Sequence, residues 1–229
     1  MNELLWFLMM ALNFGAILLA YRFFGKIGLF IWIPIAVILA NIQVTKEIML
    51  FGLPATLGNI IYATSFLVTD ILSENYGKKE ARKAVYIGFL AIFVMTLFMN
   101  IAVYFKPSPD DWAQEHLSAV FRIMWQIALG SVAAYAVSQL HDVWAYEFWR
   151  KKAPEKKYIW IRNNASTWVS QLIDSSIFVI IAFWGQHSFT HMLKLIFTTY
   201  LFKVIVAALD TPFVYIASRW KNKEIIKEA

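Results

Sequence analysis

A polytopic bundle of membrane-spanning helices, all-α, is the fold class this sequence predicts, and three observations predict it. Hydrophobic residues make up 60% of the chain and charged residues only 16%, with a mean hydropathy of +0.57; a soluble domain carries about a quarter charged residues. The charges fall between long apolar runs. About seven of those runs are long enough to cross a hydrocarbon core of about 30 Å. The 229 residues therefore make one integral membrane domain, ending in a short basic tail over 219–229.

The expected spans are 4–21, 27–44, 50–72, 84–104, 120–148, 165–185 and 192–217. The first lacks a basic leading region and a small-residue cleavage site, so it reads as a retained helix added to a six-helix core, not a signal peptide. Gly52, Pro54 and Gly58 punctuate the start of the third, which predicts irregular backbone there. "KPSPDDWAQEHL" reads as a loop with a short interfacial helix anchored by Trp112, and "APEKKYIWIR" as a loop with Tyr158 and Trp160 at the interface. "SRWKNKEIIKEA" reads as a short surface helix.

Orientation follows from Lys and Arg. Sixteen fall in the first, third and fifth connections and the tail, from Arg22 and Lys26 to Lys227. Four, Lys46, Lys106, Arg122 and Lys194, fall on the other side, and Lys203 lies within a span. The positive-inside rule then puts the N-terminus outside and the C-terminus in the cytoplasm. Cationic loops also account for the net charge of +6 without nucleic acid. With no cysteine, disulfides, thiol catalysis and cysteine-ligated metal are excluded. His116, His141, His187 and His191 show no metal-ligand spacing, and no metal, cofactor or catalytic residue is expected.

The informative residues are polar ones inside apolar spans, where burial is costly. Asp70 and Glu74 share a helix face beside Ser73; Glu74 either snorkels to the interface near Lys78 or serves function, while Asp70 lies deeper. "SQLHD" (Ser138, Gln139, Asp142) and "SQLID" (Ser170, Gln171, Asp174) recur thirty-two residues apart on consecutive spans. Those spans are antiparallel, so the two clusters are expected to face each other in the inner half of the bilayer. Asn163, Asn164, Ser166 and Thr167 suit a helix cap. Thr167, Gln171 and Asp174 extend that start into a polar stripe. Lys203 and Asp210 share a face two turns apart and pair either with each other or with an acid elsewhere. Gly130 and Ala134 offer a small-residue surface for helix packing, compatible with a homodimer as well. Carboxylates, amides and hydroxyls in one small cavity suit an uncharged or cationic cargo rich in N–H donors. A planar heterocycle fits, with Tyr62, Phe66, Trp144 or Phe178 available to cover its face.

"SFLVTDILSENYGKKEA", "SQLHDVWAYEF" and "WIRNNASTWVSQLIDSSIFVIIAFWG" resemble the signature blocks of the queuosine precursor transporters, a group first placed with vitamin uptake proteins. The resemblance covers about 41–213. It implies a multi-pass protein of a bacterial or archaeal plasma membrane that imports a 7-deazaguanine such as preQ0, preQ1 or queuine for tRNA modification, without being an enzyme. The family is also similar to the substrate-binding subunits of energy-coupling-factor transporters. The alternative is therefore a membrane subunit of an ATP-driven vitamin uptake complex, with ATP used by partner chains because no G-x-x-x-x-G-K-[ST] occurs here. An intramembrane enzyme built on paired aspartates has no nucleophile motif behind it. Asp70, Glu74, Gln139, Asp142, Asn164, Gln171 and Asp174 are the candidate cargo-path residues, with Asp174 foremost.

Overall fold

The computed structural model describes residues 1–121, 125–185 and 188–226; Arg122, His187 and Lys227, all named above, lie outside the described residues. Among the described residues seven α-helices follow one another: α1 (Asn2–Gln43), α2 (Asn59–Tyr76), α3 (Lys78–Tyr104), α4 (Ala113–Phe121), α5 (Trp125–Lys152), α6 (Ile159–Phe183) and α7 (Phe189–Asn222). A small hairpin of β1 (Glu47–Leu50) and β2 (Leu53–Thr56) stands between α1 and α2.

The first helix is two antiparallel arms, 2–24 and 26–43, folded at Gly25 (φ 56°, ψ −140°), a backbone open to glycine. A straight helix of 42 residues would be about 63 Å long. Instead its start is bonded to the hairpin that follows its end: Asn2 Nδ2 donates to the Met49 carbonyl at 2.9 Å, and the Phe51 amide donates to Glu3 at 3.3 Å. The arms approach so closely that a Cβ on Gly28 would lie 2.1 Å from the Ala20 carbonyl oxygen. The added first helix and the second expected span are these two arms.

Among the described residues, four helical stretches are long and apolar enough to cross a membrane on those grounds alone, or five if α4 and α5 count as one bent span. The first of the four is the folded α1. In contrast, α2 is too polar to pass that test but is buried from Asn59 to Ser73, packed against α1, α3, α5 and α7. Its polar side chains are therefore matched by protein instead of lipid. The outward faces are apolar: Leu5, Leu8 and Leu12 on α1, and Leu90, Phe93 and Phe98 on α3, are all exposed. Apolar outside and polar within is the pattern of a helix bundle solvated by lipid tails.

Several expected boundaries shift for local reasons. The third span begins at Asn59, not at residue 50, because Phe51 and Gly52 (φ 51° and 76°) form a tight hairpin turn instead of a broken helix. The short helix after Trp112 is α4, started by Asp111, whose carboxylate accepts from the Ala113 and Gln114 amides. The sixth span starts six residues earlier than expected, at Ile159, so Asn163 and Asn164 lie inside α6 and cap nothing. Residues 219–222 are the last turn of α7, not the start of a separate tail helix.

The basic connections collect at one end of the bundle. Lys26 pairs with Glu80 at 3.2 Å, the Arg22 guanidinium lies over Trp220, and the Lys221 ammonium lies over Tyr76. The hairpin and the N-terminus mark the opposite end.

Candidate functional site

The two Ser-Gln-Leu-x-Asp segments meet where α5 packs along α6, the most extensive helix pair of the fold. Because the helices run antiparallel, the serine of each copy lies beside the aspartate of the other. Ser138 Oγ donates to Asp174 Oδ1 at 2.9 Å, and Ser170 lies beside Asp142. Small residues permit this closeness: a Cβ on Gly130 would lie 3.1–3.2 Å from the α6 backbone at Ala182 and Phe178. The small-residue surface thus serves packing within the chain.

Asp174, 1% exposed, is the best-partnered acid. Tyr62 Oη from α2 donates to Oδ1 at 2.6 Å, and Lys203 Nζ from α7 pairs with Oδ2. The same ammonium lies 4.7 Å from the centroid of the Tyr62 ring. Asp174, Tyr62 and Lys203 help to line a cavity of about 30 Å³ at the foot of the hairpin. Asn41 from the second arm of α1, Asn59, Ser131, Ala134 and Phe178 complete most of its wall. Asn59 Nδ2 and Asn41 Oδ1 have no hydrogen-bond partner among the described residues.

About 12 Å further along α2, toward the basic end, lies a second acidic group. Asp70 accepts from Thr167 Oγ1 at 3.1 Å and lies beside Asp142; both are fully buried. Asp142 is surrounded by Asp70, Ser166, Thr167 and Ser170, yet neither of its oxygens has hydrogen-bond geometry with a described residue. Asp210 accepts from Asn163 Nδ2 at 2.7 Å. Among the described residues, none of Asp70, Asp142 and Asp210 has a lysine or arginine within ion-pair distance.

The remaining candidates divide between the seam and its floor. Gln139 Nε2 donates to Ser65 Oγ at 2.8 Å. Fully buried Gln171 has no partner on either amide atom among the described residues. Glu74 neither snorkels nor joins the acids: Arg162 Nη2 binds it at 2.8 Å and Tyr146 Oη donates to it at 3.2 Å. Arg162, counted above with a cytoplasmic loop, is fully buried, and it also donates to the Ala153 and Glu155 carbonyls. Asn164 joins α6 to α7 through Thr211 Oγ1 at 2.8 Å.

Sequence reasoning named Tyr62 for stacking and missed it as a donor to Asp174. It left Lys203 open between Asp210 and an acid elsewhere; seven residues of helix separate Lys203 from Asp210 by about 10 Å, too far for direct pairing. Trp144 is half exposed against His141 and does not line the cavity, and Phe66 is buried beside Tyr62. Asn41 and Asn59 carried no signal beyond being polar residues in apolar runs, and Asn163, read as a capping residue, instead holds Asp210. Among the described residues no cluster of His, Cys, Asp and Glu could hold a metal ion.

Comparison with known proteins identifies the family. Residues 56–217 match the family model described as "Putative vitamin uptake transporter". A "Probable queuosine precursor transporter" of Bacillus subtilis (strain 168) is 41% identical over 95% of this chain and 95% of its own length. A protein of the same description from Haemophilus influenzae (strain ATCC 51907 / DSM 11121 / KW20 / Rd) is 28% identical over 68% of this chain and 65% of its own. No solved structure matches. The chain belongs to the vitamin uptake transporter family and is a multi-pass cell-membrane protein.

Proposed function

We propose that this chain imports a queuosine precursor, a 7-deazaguanine such as preQ0, preQ1 or queuine, into the cytoplasm for tRNA modification, with Asp174 as the anchor of the cargo. The observation that carries this reading is the buried carboxylate of Asp174 at a cavity that Tyr62 and Phe178 also line. A deazaguanine presents a ring N–H beside an exocyclic amino group, which one carboxylate accepts together while an aromatic covers the ring face. The names of the relatives support the same cargo.

The chain crosses the membrane seven times in this reading, with both arms of α1 counted, the N-terminus outside and the basic end in the cytoplasm. Cargo enters beside the hairpin, meets Asp174, and passes Gln139, Gln171, Asp142 and Asp70. Glu74 and Arg162 close the cytoplasmic floor, and Asn164 holds α6 to α7 beside it.

The test is expression in cells that neither make nor import these precursors, supplied with each compound in turn together with the enzymes that process it. Queuosine in tRNA, seen as a shift on a boronate gel, is the expected result for at least one compound. No queuosine with any of them, despite verified membrane insertion, sinks the reading. It would then favour a partner-dependent binding subunit for another cargo.

A further inference from the structure

The ammonium of Lys203 satisfies Asp174 with the same chemistry that a cargo would use. It is an N–H donor on Oδ2, and it sits 4.7 Å from the centroid of the Tyr62 ring. The surrounding cavity holds about 30 Å³, room for one or two waters, whereas small-molecule sites run to about 300–1,000 Å³. A bicyclic cargo therefore reaches Asp174 only if something in the wall withdraws. Lys203 is the candidate built to do so: it lines the cavity, and its charge rides on a flexible four-carbon stem. Helical side chains lean toward the helix N-terminus, which for α7 is the hairpin end, so its exit leads away from the acidic seam.

We propose that Lys203 is an internal stand-in for cargo. It holds Asp174 when the carrier is empty, gives way when cargo binds, and takes the carboxylate back after release. The proposal rests on the transport reading above and adds to it a role for a residue with no assigned function. The reason for such a device is electrostatic. With Lys203 gone, Asp174 keeps only the Tyr62 and Ser138 hydroxyls, and a buried carboxylate without its cation is strongly unfavourable, so an empty carrier in that state would stall before returning to the outer face. Cargo-for-cargo exchange never passes through the empty state and has no need of the lysine. Net uptake passes through it in every cycle.

The experiment uses membrane vesicles containing wild-type protein or Lys203→Met, and radiolabelled preQ0, preQ1 or queuine, whichever the wild type takes up. Three quantities are read: equilibrium binding, exchange against unlabelled cargo, and net uptake. For Lys203→Met, binding is expected to equal or exceed that of the wild type and exchange to persist. Net uptake falls by about a hundredfold or more, the scale of a buried charge losing its partner. Binding and exchange lost along with net uptake would overturn the proposal, because Lys203 would then orient Asp174 for cargo. Unchanged net uptake would overturn it too. If Lys203→Met fails to insert, Lys203→Arg decides: a guanidinium holds the carboxylate more firmly, so cargo should bind about tenfold more weakly while exchange and net uptake stay in proportion. Wild-type binding in that variant would end the idea. Absence of uptake by the wild type with all three compounds refutes the transport reading instead.

Discussion

Asp142 and Asp174 occupy the same position of the same five-residue pattern, lie on helices packed side by side, and are equally buried, yet their surroundings are opposite. Asp174 receives a tyrosine hydroxyl, a serine hydroxyl and an ammonium. Asp142 faces a second carboxylate and three hydroxyls, with no hydrogen bond completed among the described residues. The difference comes from neither SQLxD segment. It comes from the flanking helices: α7 brings Lys203 to one aspartate, and α2 brings Asp70 to the other. A repeated motif supplied two equivalent carboxyl groups, and the third and fourth helices at the crossing gave each its chemistry.

Substitutions can break or sharpen that contrast. The largest effect is expected for Asp174→Asn, which should abolish uptake while the protein still inserts. It should also lower stability in detergent by about 3–5 kcal/mol, because Lys203 is left buried without its carboxylate. Adding Lys203→Met should restore most of the stability and none of the uptake. Normal uptake by Asp174→Asn would end the assignment of this residue to cargo.

Next comes Arg162→Ala, which leaves Glu74 without its cation and two carbonyls without a donor. Thermal unfolding of the purified protein should show a loss of about 3 kcal/mol. A variant as stable as wild type would mean that the floor of the seam is not held by this pair.

Asp142→Asn should behave unlike Asp174→Asn in stability. No cation is orphaned, and one of two facing carboxylates disappears, so stability should hold to within about 1 kcal/mol or rise. Uptake should still fall about tenfold if Asp142 lines the path. A stability loss as large as that of Asp174→Asn would show that the two aspartates are electrostatically alike after all. The smallest effect belongs to Gln171→Leu. An amide without partners is replaced by an apolar group of similar size, so stability is unchanged or gains about 1 kcal/mol. A modest rise in the cargo concentration for half-maximal uptake would mark Gln171 as part of the path, and an unaltered value would remove it.

Much of this was legible in the residues because lipid imposes a simple rule on local sequence. Long apolar runs had to be helices, and polar side chains inside them had to face protein. Asp70, Gln139, Asp142, Gln171 and Asp174 are all buried along one seam. Glu74 sat at the margin of that rule, and the structure gives it to Arg162, which local reading had left in a basic loop. The hairpin at 47–56 was visible only as irregularity, because glycine and proline announce a break without stating what replaces the helix.

What the sequence by itself determined is therefore the solvent of this protein, its helical class and the set of polar side chains withheld from lipid. Hydrophobic patterning acts over a turn or two of chain and can be read along it. What the tertiary structure alone decided is which acid receives a cation. Tyr62 and Asp174 are 112 residues apart, Lys203 and Asp174 are 29 apart on different helices, and no local rule joins them. Charge pairing at short range depends on which helix faces cross, and that is settled only when all the spans have packed.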